Sequence, residues 1–180
     1  SRIEPARLED YIPLDLVETA NRLIQSSRGL GRNLPARTLA DLAAMVRMMN
    51  SYYSNRIEGN NTRPRDIERA LAGDFDADPG RRALQQEHAA HVHLQEEIDR
   101  RAVEGTLADP SDPSFIKWLH EAIYKGATEE VLTLRHRGQV VRIVPGEWLQ
   151  GDVEVGAHVP PSFDAVPPFM VHFHTRFRLD

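Results

Sequence analysis

The sequence predicts a mainly α-helical protein, a bundle of five to six helices with one small β-hairpin. Three observations carry this. Apolar residues recur at 3- and 4-residue steps through most of the chain, helix-start prolines and helix-stop glycines punctuate those runs, and β-branched alternation occurs in one short stretch only. The chain has 180 residues, 41% hydrophobic and 27% charged, with 11 Gly and 12 Pro, the composition of a folded domain large enough to bury its own core.

In the first helix Leu16, Val17, Ala20, Leu23 and Ile24 share one stripe, with Pro13 ahead and Gly29 behind as its C-cap. A second, longer helix runs from about 35 to 59. Its residues Leu39, Leu42, Val46, Met49, Tyr53 and Ile57 form a face expected to be core. A short helix follows Thr62, which is placed to cap it; Pro64 sits in its first turn, Ile67 and Leu71 point inward, and Gly73 ends it. From Arg81 to Val103 a third long helix carries Leu84, His91, Leu94 and Ile98 on a broad face. After the Asp109-Pro110-Ser111-Asp112-Pro113 break, Asp112 reads as an N-cap, and Phe115, Ile116, Leu119 and Ile123 define a helix ending at Gly126. Val140 to Val144 and Asp152 to Val155, with Pro145-Gly146 between them, predict the hairpin, which should lean on helices because two strands alone are marginal. Met170, Phe173 and Phe177 mark a last helix with little left to pack against before Asp180. That, with Ser1 in place of Met, leads us to expect a segment of a longer protein. The break near 110 divides the chain into a helical region, 1–110, and a second region, 111–180.

Composition also excludes chemistry. With no cysteine there is no disulfide, thiolate metal site or cysteine nucleophile, and a cytoplasmic location is expected. No run approaches the ~18 apolar residues of a membrane span. A net charge of −5 argues against general nucleic-acid binding, although Arg63-Pro64-Arg65 and Arg135-His136-Arg137 are local basic spots. Gly29-Leu30-Gly31 lacks the third glycine of a dinucleotide loop, and no phosphate-loop motif occurs. His88 and His91 share a helix face while His93 points elsewhere, and no carboxylate completes a metal set, so no metal is expected.

The informative stretch is Ser54-Asn55-Arg56-Ile57-Glu58-Gly59-Asn60. Ser54 and Glu58 stand one turn apart on one helix face. Glu58 falls at the negative pole of the helix dipole, a placement disfavoured by ~0.3–1 kcal/mol. Gly59 supplies the left-handed residue that ends the helix. Two readings stay open on these residues: a solvated glutamate beside a glycine cap, or a carboxylate held out to meet a cation from elsewhere.

Ser54-x-x-x-Glu58-Gly59-Asn60 resembles the inhibitory-helix motif [S/T]-x-x-x-E-[G/N] of Fic-family proteins, in the class where that helix precedes the catalytic core. Phe115 to His120 with Tyr124 is similar to the helix that opens this core. Val144-Pro145-Gly146-Glu147 and Asp152 to Pro161 resemble its hairpin flap and the proline-rich segment after it, and Val166-Pro167 through Met170 and Phe173 resemble the next helix. The order holds over roughly residues 35 to 177.

The resemblance implies a protein adenylyltransferase. In that family a signature histidine takes the proton from a target Ser, Thr or Tyr hydroxyl, which attacks the α-phosphate of ATP with Mg²⁺ present, and a signature arginine binds the γ-phosphate. Carried over, Glu58 would pair with that arginine and act as a brake, supported by Ser54, Gly59 and Asn60. Val153, Glu154 and Val155 of the flap would dock the target backbone as an added strand. The signature H-P-F-x-[DE]-G-N-G-R-x-x-R occurs nowhere in these residues, and neither Leu149 nor Gly151 is the basic residue often found in the flap. No catalytic residue is therefore assigned. ATP and Mg²⁺ are expected for a full-length parent only, and no AMP transfer is expected from this segment alone. A hydroxyl-bearing protein is the expected substrate, with a homo-oligomer open and neither nucleic acid nor membrane as partner. Two rivals remain: a non-enzymatic interaction module or in-trans inhibitor of a separate Fic chain, and, ranked last, a DNA-binding regulator using Arg63, Arg65 and Arg69.

Overall fold

The computed structural model describes residues 12–136, 139–154 and 159–179. Among them the chain forms α1 (Leu14–Gly29), α2 (Ala36–Ile57), α3 (Pro64–Leu71), α4 (Pro79–Glu104), α5 (Pro113–Tyr124), β1 (Thr133–His136), β2 (Gln139–Arg142) and α6 (Val166–Phe177), the last preceded by a single 3₁₀ turn, Phe163–Ala165. The fold is mainly α, as the periodicity predicts.

Each start signal acts through an identifiable group. Asp78 caps α4 by accepting from the Arg81 amide at 2.9 Å. Asp112 caps α5, accepting from the Ser114 amide and hydroxyl at 2.7 Å each, and these bonds hold its carboxyl below the usual range. The Thr62 cap is corrected: the N-cap of α3 is Arg63, without a side-chain bond, because Pro64 already occupies the first helical position. Gly29 is likewise the last helical residue of α1 rather than its cap, and the left-handed conformation falls on Gly31, at φ +79°.

The core gathers along α4, where α3 and α5 each pack against it. Ile67 is fully buried, as is Val92 at 2% exposure, with Ala70, Ala89, Leu94, Phe115 and Leu132 around them. Helix α4 is the spine, packing against α2, α3 and α5. Arg101 on α4 lies over the Trp118 ring of α5, 4.0 Å from its centroid.

The face of α2 expected to be core is not buried. Leu39, Leu42, Val46, Tyr53 and Ile57 are all exposed, and α1 carries Leu16, Val17, Leu23 and Ile24 exposed as well. What α2 turns toward α4 is a polar ladder. Arg47 bonds Asp99 at 2.8 Å, Asn50 donates to Gln95 at 3.1 Å, and Ser51 meets His88 at 2.8 Å, so the two helices run antiparallel. Periodicity locates apolar stripes correctly but cannot say which stripe finds a partner.

The hairpin is also corrected. The antiparallel strands are Thr133–His136 and Gln139–Arg142, pairing Thr133 with Arg142 and Leu134 with Val141. The segment expected to supply its second strand is partly outside the described residues, at Val155, and its described part, 152–154, has no strand structure. Pro145-Gly146 does turn, but toward α5. The Gly146 amide donates to His120 Nδ1 at 2.9 Å, and Lys117 pairs with Glu147 at 2.7 Å. Gly146 has φ +80°, and a β-carbon there would meet Glu121 Cβ at 3.2 Å, so the close docking on α5 needs glycine. With this backbone bonded to a helix, it is not available to a sheet. Helix α6 has a partner after all: it packs on α5, Ser111 Oγ lies 3.0 Å from His174 Nδ1, and the Leu179 amide donates to Asp109 at 2.7 Å.

Candidate functional site

The candidate site is the C-terminal end of α2. Ile57 is the last helical residue, Glu58 follows at φ −78° and ψ 3°, and Gly59 turns left-handed at φ +88°. The Asn60 amide donates back to the Asn55 carbonyl at 2.9 Å, and the Gly59 amide to the Arg56 carbonyl at 3.1 Å. These are the two bonds of a Schellman termination, which satisfies carbonyls that a helix end otherwise leaves open.

Side chains reinforce the backbone cap. Asn60 Nδ2 donates to Asn55 Oδ1 at 3.1 Å, and Asn55 Nδ2 donates to the Ser51 carbonyl at 3.2 Å while lying 3.4 Å from His88 Nδ1. Ser51 Oγ sits 2.8 Å from the same nitrogen. Ser51 and His88 are fully buried and Asn55 is 6% exposed. Two donors thus converge on His88 Nδ1, which assigns it as the acceptor and puts the proton on Nε2, where no partner exists among the described residues. Protonating Nδ1 would turn a hydrogen against the Asn55 amide. Burial, with a smaller contribution from His91, pushes His88 down to about 4.

Ser54, Glu58 and Gly59 are exposed and Asn60 is half-buried. The four motif residues are brought together in one turn and its cap. Among the described residues the Glu58 carboxylate has neither a hydrogen bond nor an ion pair, and the only basic residue of the last turn, Arg56, donates to the Tyr52 hydroxyl at 3.3 Å. The flap residues belong to a different part of the molecule. Helix α2 packs on α3 and α4, whereas the 143–152 segment is held by α5 and by the turn before α6, where the Phe163 amide donates to Asp152 at 2.9 Å. Val153 and Glu154 are half-buried in that second group, and Val155 lies outside the described residues.

Sequence reasoning found the motif and missed what anchors it. Ser51 and Asn55 are four apart, and His88, weighed as a metal ligand and set aside, was given no partner. The available signal was two small polar residues one turn apart on the helix preceding the motif, a pattern that places hydrogen-bonding groups on one face. No group of three His, Asp or Glu side chains among the described residues converges as a metal site. With no phosphate-cradling loop either, the residues present do not fit ATP or Mg²⁺ at this site.

No family model matches the chain, and neither a curated protein nor a solved structure matches it. None of the described helices is long and apolar enough to cross a membrane.

Proposed function

We propose that this chain is the N-terminal portion of a Fic-family protein adenylyltransferase, with Glu58 as its intramolecular brake. The observation that carries the reading is an exposed carboxylate at the negative pole of α2, without a cation among the described residues, on a helix end whose backbone is held by a partly buried cap network. The groups that would perform the transfer are not among these residues, so the role of this chain is to withhold an arginine from the nucleotide and to offer flap residues Val153 to Val155 to a protein substrate with a Ser, Thr or Tyr hydroxyl. A cytoplasmic location and a homo-oligomer belong to the same proposal.

The test is AMP labelling by the intact reading-frame product. Glu58→Gly should raise self- or target-labelling by about tenfold or more, equivalent to losing ~1.4 kcal/mol of restraint. Equal rates in variant and parent would refute the brake.

One observation favours a second reading, an interaction module or in-trans inhibitor of a separate Fic catalytic chain: the apolar faces of α1 and of α2, the helix that ends in the motif, are exposed. Inhibition of a separate Fic chain by the added polypeptide, lost with Glu58→Gly, would support this reading over the intramolecular one.

A further inference from the structure

A groove of about 730 Å³ opens between the first turn of α3 and the start of α4, and its lining begins at Asn61, the residue after the α2 cap. Arg63, Arg65, Arg69 and Arg81 line it, against two carboxylates, Asp66 and Asp76. Four arginines on one concavity, against these two carboxylates and the Asp74 that pairs with Arg69, stand out in a chain whose net charge is −5.

The walls are built rather than incidental. Gln85, 2% exposed, forms the floor and staples them together: its Nε2 donates to the Asp66 carbonyl of α3 at 3.1 Å, and its Oε1 accepts from the Asp76 amide at 2.7 Å. A buried amide spent on bridging two backbone segments fixes the distance between them.

The arginines differ in how far they are neutralised. Arg69 is held by Asp74 through a fork at 2.8 and 3.2 Å, which raises its own proton affinity and depresses that of Asp74. Arg81 approaches Asp76 only to 3.8 Å. Arg63 and Arg65 are exposed and have no carboxylate within ion-pair distance among the described residues. Three guanidinium groups therefore face one concavity with donors unspent.

We propose that this groove binds a compact phosphoryl anion of the pyrophosphate or polyphosphate class, held by Arg63, Arg65 and Arg81. Planar guanidinium forks match phosphate oxygens two at a time, and three guanidinium groups on one concavity offer more forks than a single carboxylate can engage. The lining contains one large apolar residue, Leu84, and no aromatic ring, so it offers nothing for a nucleobase to stack on. The recognised part is the phosphate chain itself, free or attached to a nucleoside. The anion-binding reading uses none of the motif residues Ser54, Glu58, Gly59 and Asn60.

The experiment is calorimetric titration of the whole chain with inorganic pyrophosphate, tripolyphosphate and ATP in low-salt, phosphate-free buffer. Pyrophosphate should bind at one site and weaken as salt rises. Arg63→Gln with Arg65→Gln should weaken it by about tenfold, since each lost fork removes a charge-assisted contact. Arg22→Gln with Arg28→Gln, an equal charge change on α1, should leave it within about twofold. Should the first pair perturb helicity, Arg65→Gln alone is expected to weaken binding in the same direction. Equal affinity for ATP and tripolyphosphate assigns the contact to the phosphates; much tighter ATP binding overturns the assignment of the ligand class. Absence of pyrophosphate binding, equal weakening by both variant pairs, or displacement of pyrophosphate by duplex DNA at stoichiometric amounts would each overturn the site.

Discussion

Lowering the pH should destabilise this protein through one buried ring. His88 titrates near 4 in the folded chain against an ordinary value of about 6.5, because burial disfavours the cation and Nδ1 is already committed as an acceptor. In the window between those values the unfolded chain binds a proton that the native state refuses, so stability falls as pH drops from about 6.5 toward 4. The full span of the shift is worth about 3 kcal/mol, and the part lost between pH 7 and pH 5 is about 2 kcal/mol. That is a large share of the ~5–15 kcal/mol typical of a domain. Neighbours contribute with both signs: burial also lowers His91, which adds to the loss, while burial raises Glu87, which opposes it. The assay is therefore a difference. Urea denaturation of the parent and of His88→Gln is followed by circular dichroism at pH 7 and pH 5, and the variant should show a pH-dependent loss smaller by about 2 kcal/mol. A pH dependence unchanged by His88→Gln would refute the argument, for it would mean that the ring titrates as it does in water.

Two further substitutions separate the causes of stability at the cap and in the core. Gly59→Ala should cost about 1 kcal/mol, all of it conformational, because a β-carbon there meets nothing within 4 Å while φ is +88°. Gly59→Asn should cost visibly less in the same urea denaturation, since asparagine tolerates the left-handed region. Ile67→Ala should cost about 2–5 kcal/mol, as the side chain is fully buried at the meeting of α3 and α4, and thermal melting would register it as a clear fall in Tm.

The helices were legible because their boundaries are written in local chemistry, as in Pro113 after Asp112 and Gly59 after Glu58, although the Asp78 cap that starts α4 two residues ahead of Arg81 was missed. Pairing was not, because it depends on which surfaces meet. The apolar stripe of α2 is as regular as that of a core helix, yet the ladder Arg47, Asn50, Ser51 and Asn55 on another face is what contacts α4. The hairpin failed for a related reason. Gly146 signals a turn equally well whether its amide goes on to a strand or to His120, and only the tertiary arrangement decides. At the candidate site the exposed motif was readable, since Ser54 and Glu58 follow from helical spacing, whereas the role of His88 depends on a residue 37 positions away.

The polar ladder between α2 and α4 behaves as a vernier. Sliding one helix past the other by a turn would leave Ser51, Asn55 and His88 buried without mates, whereas smooth apolar surfaces would tolerate such slippage. The height at which α2 stops is consequently set two turns upstream of its end, and a mutation inside that seam would shift where Glu58 stands without touching Glu58 at all.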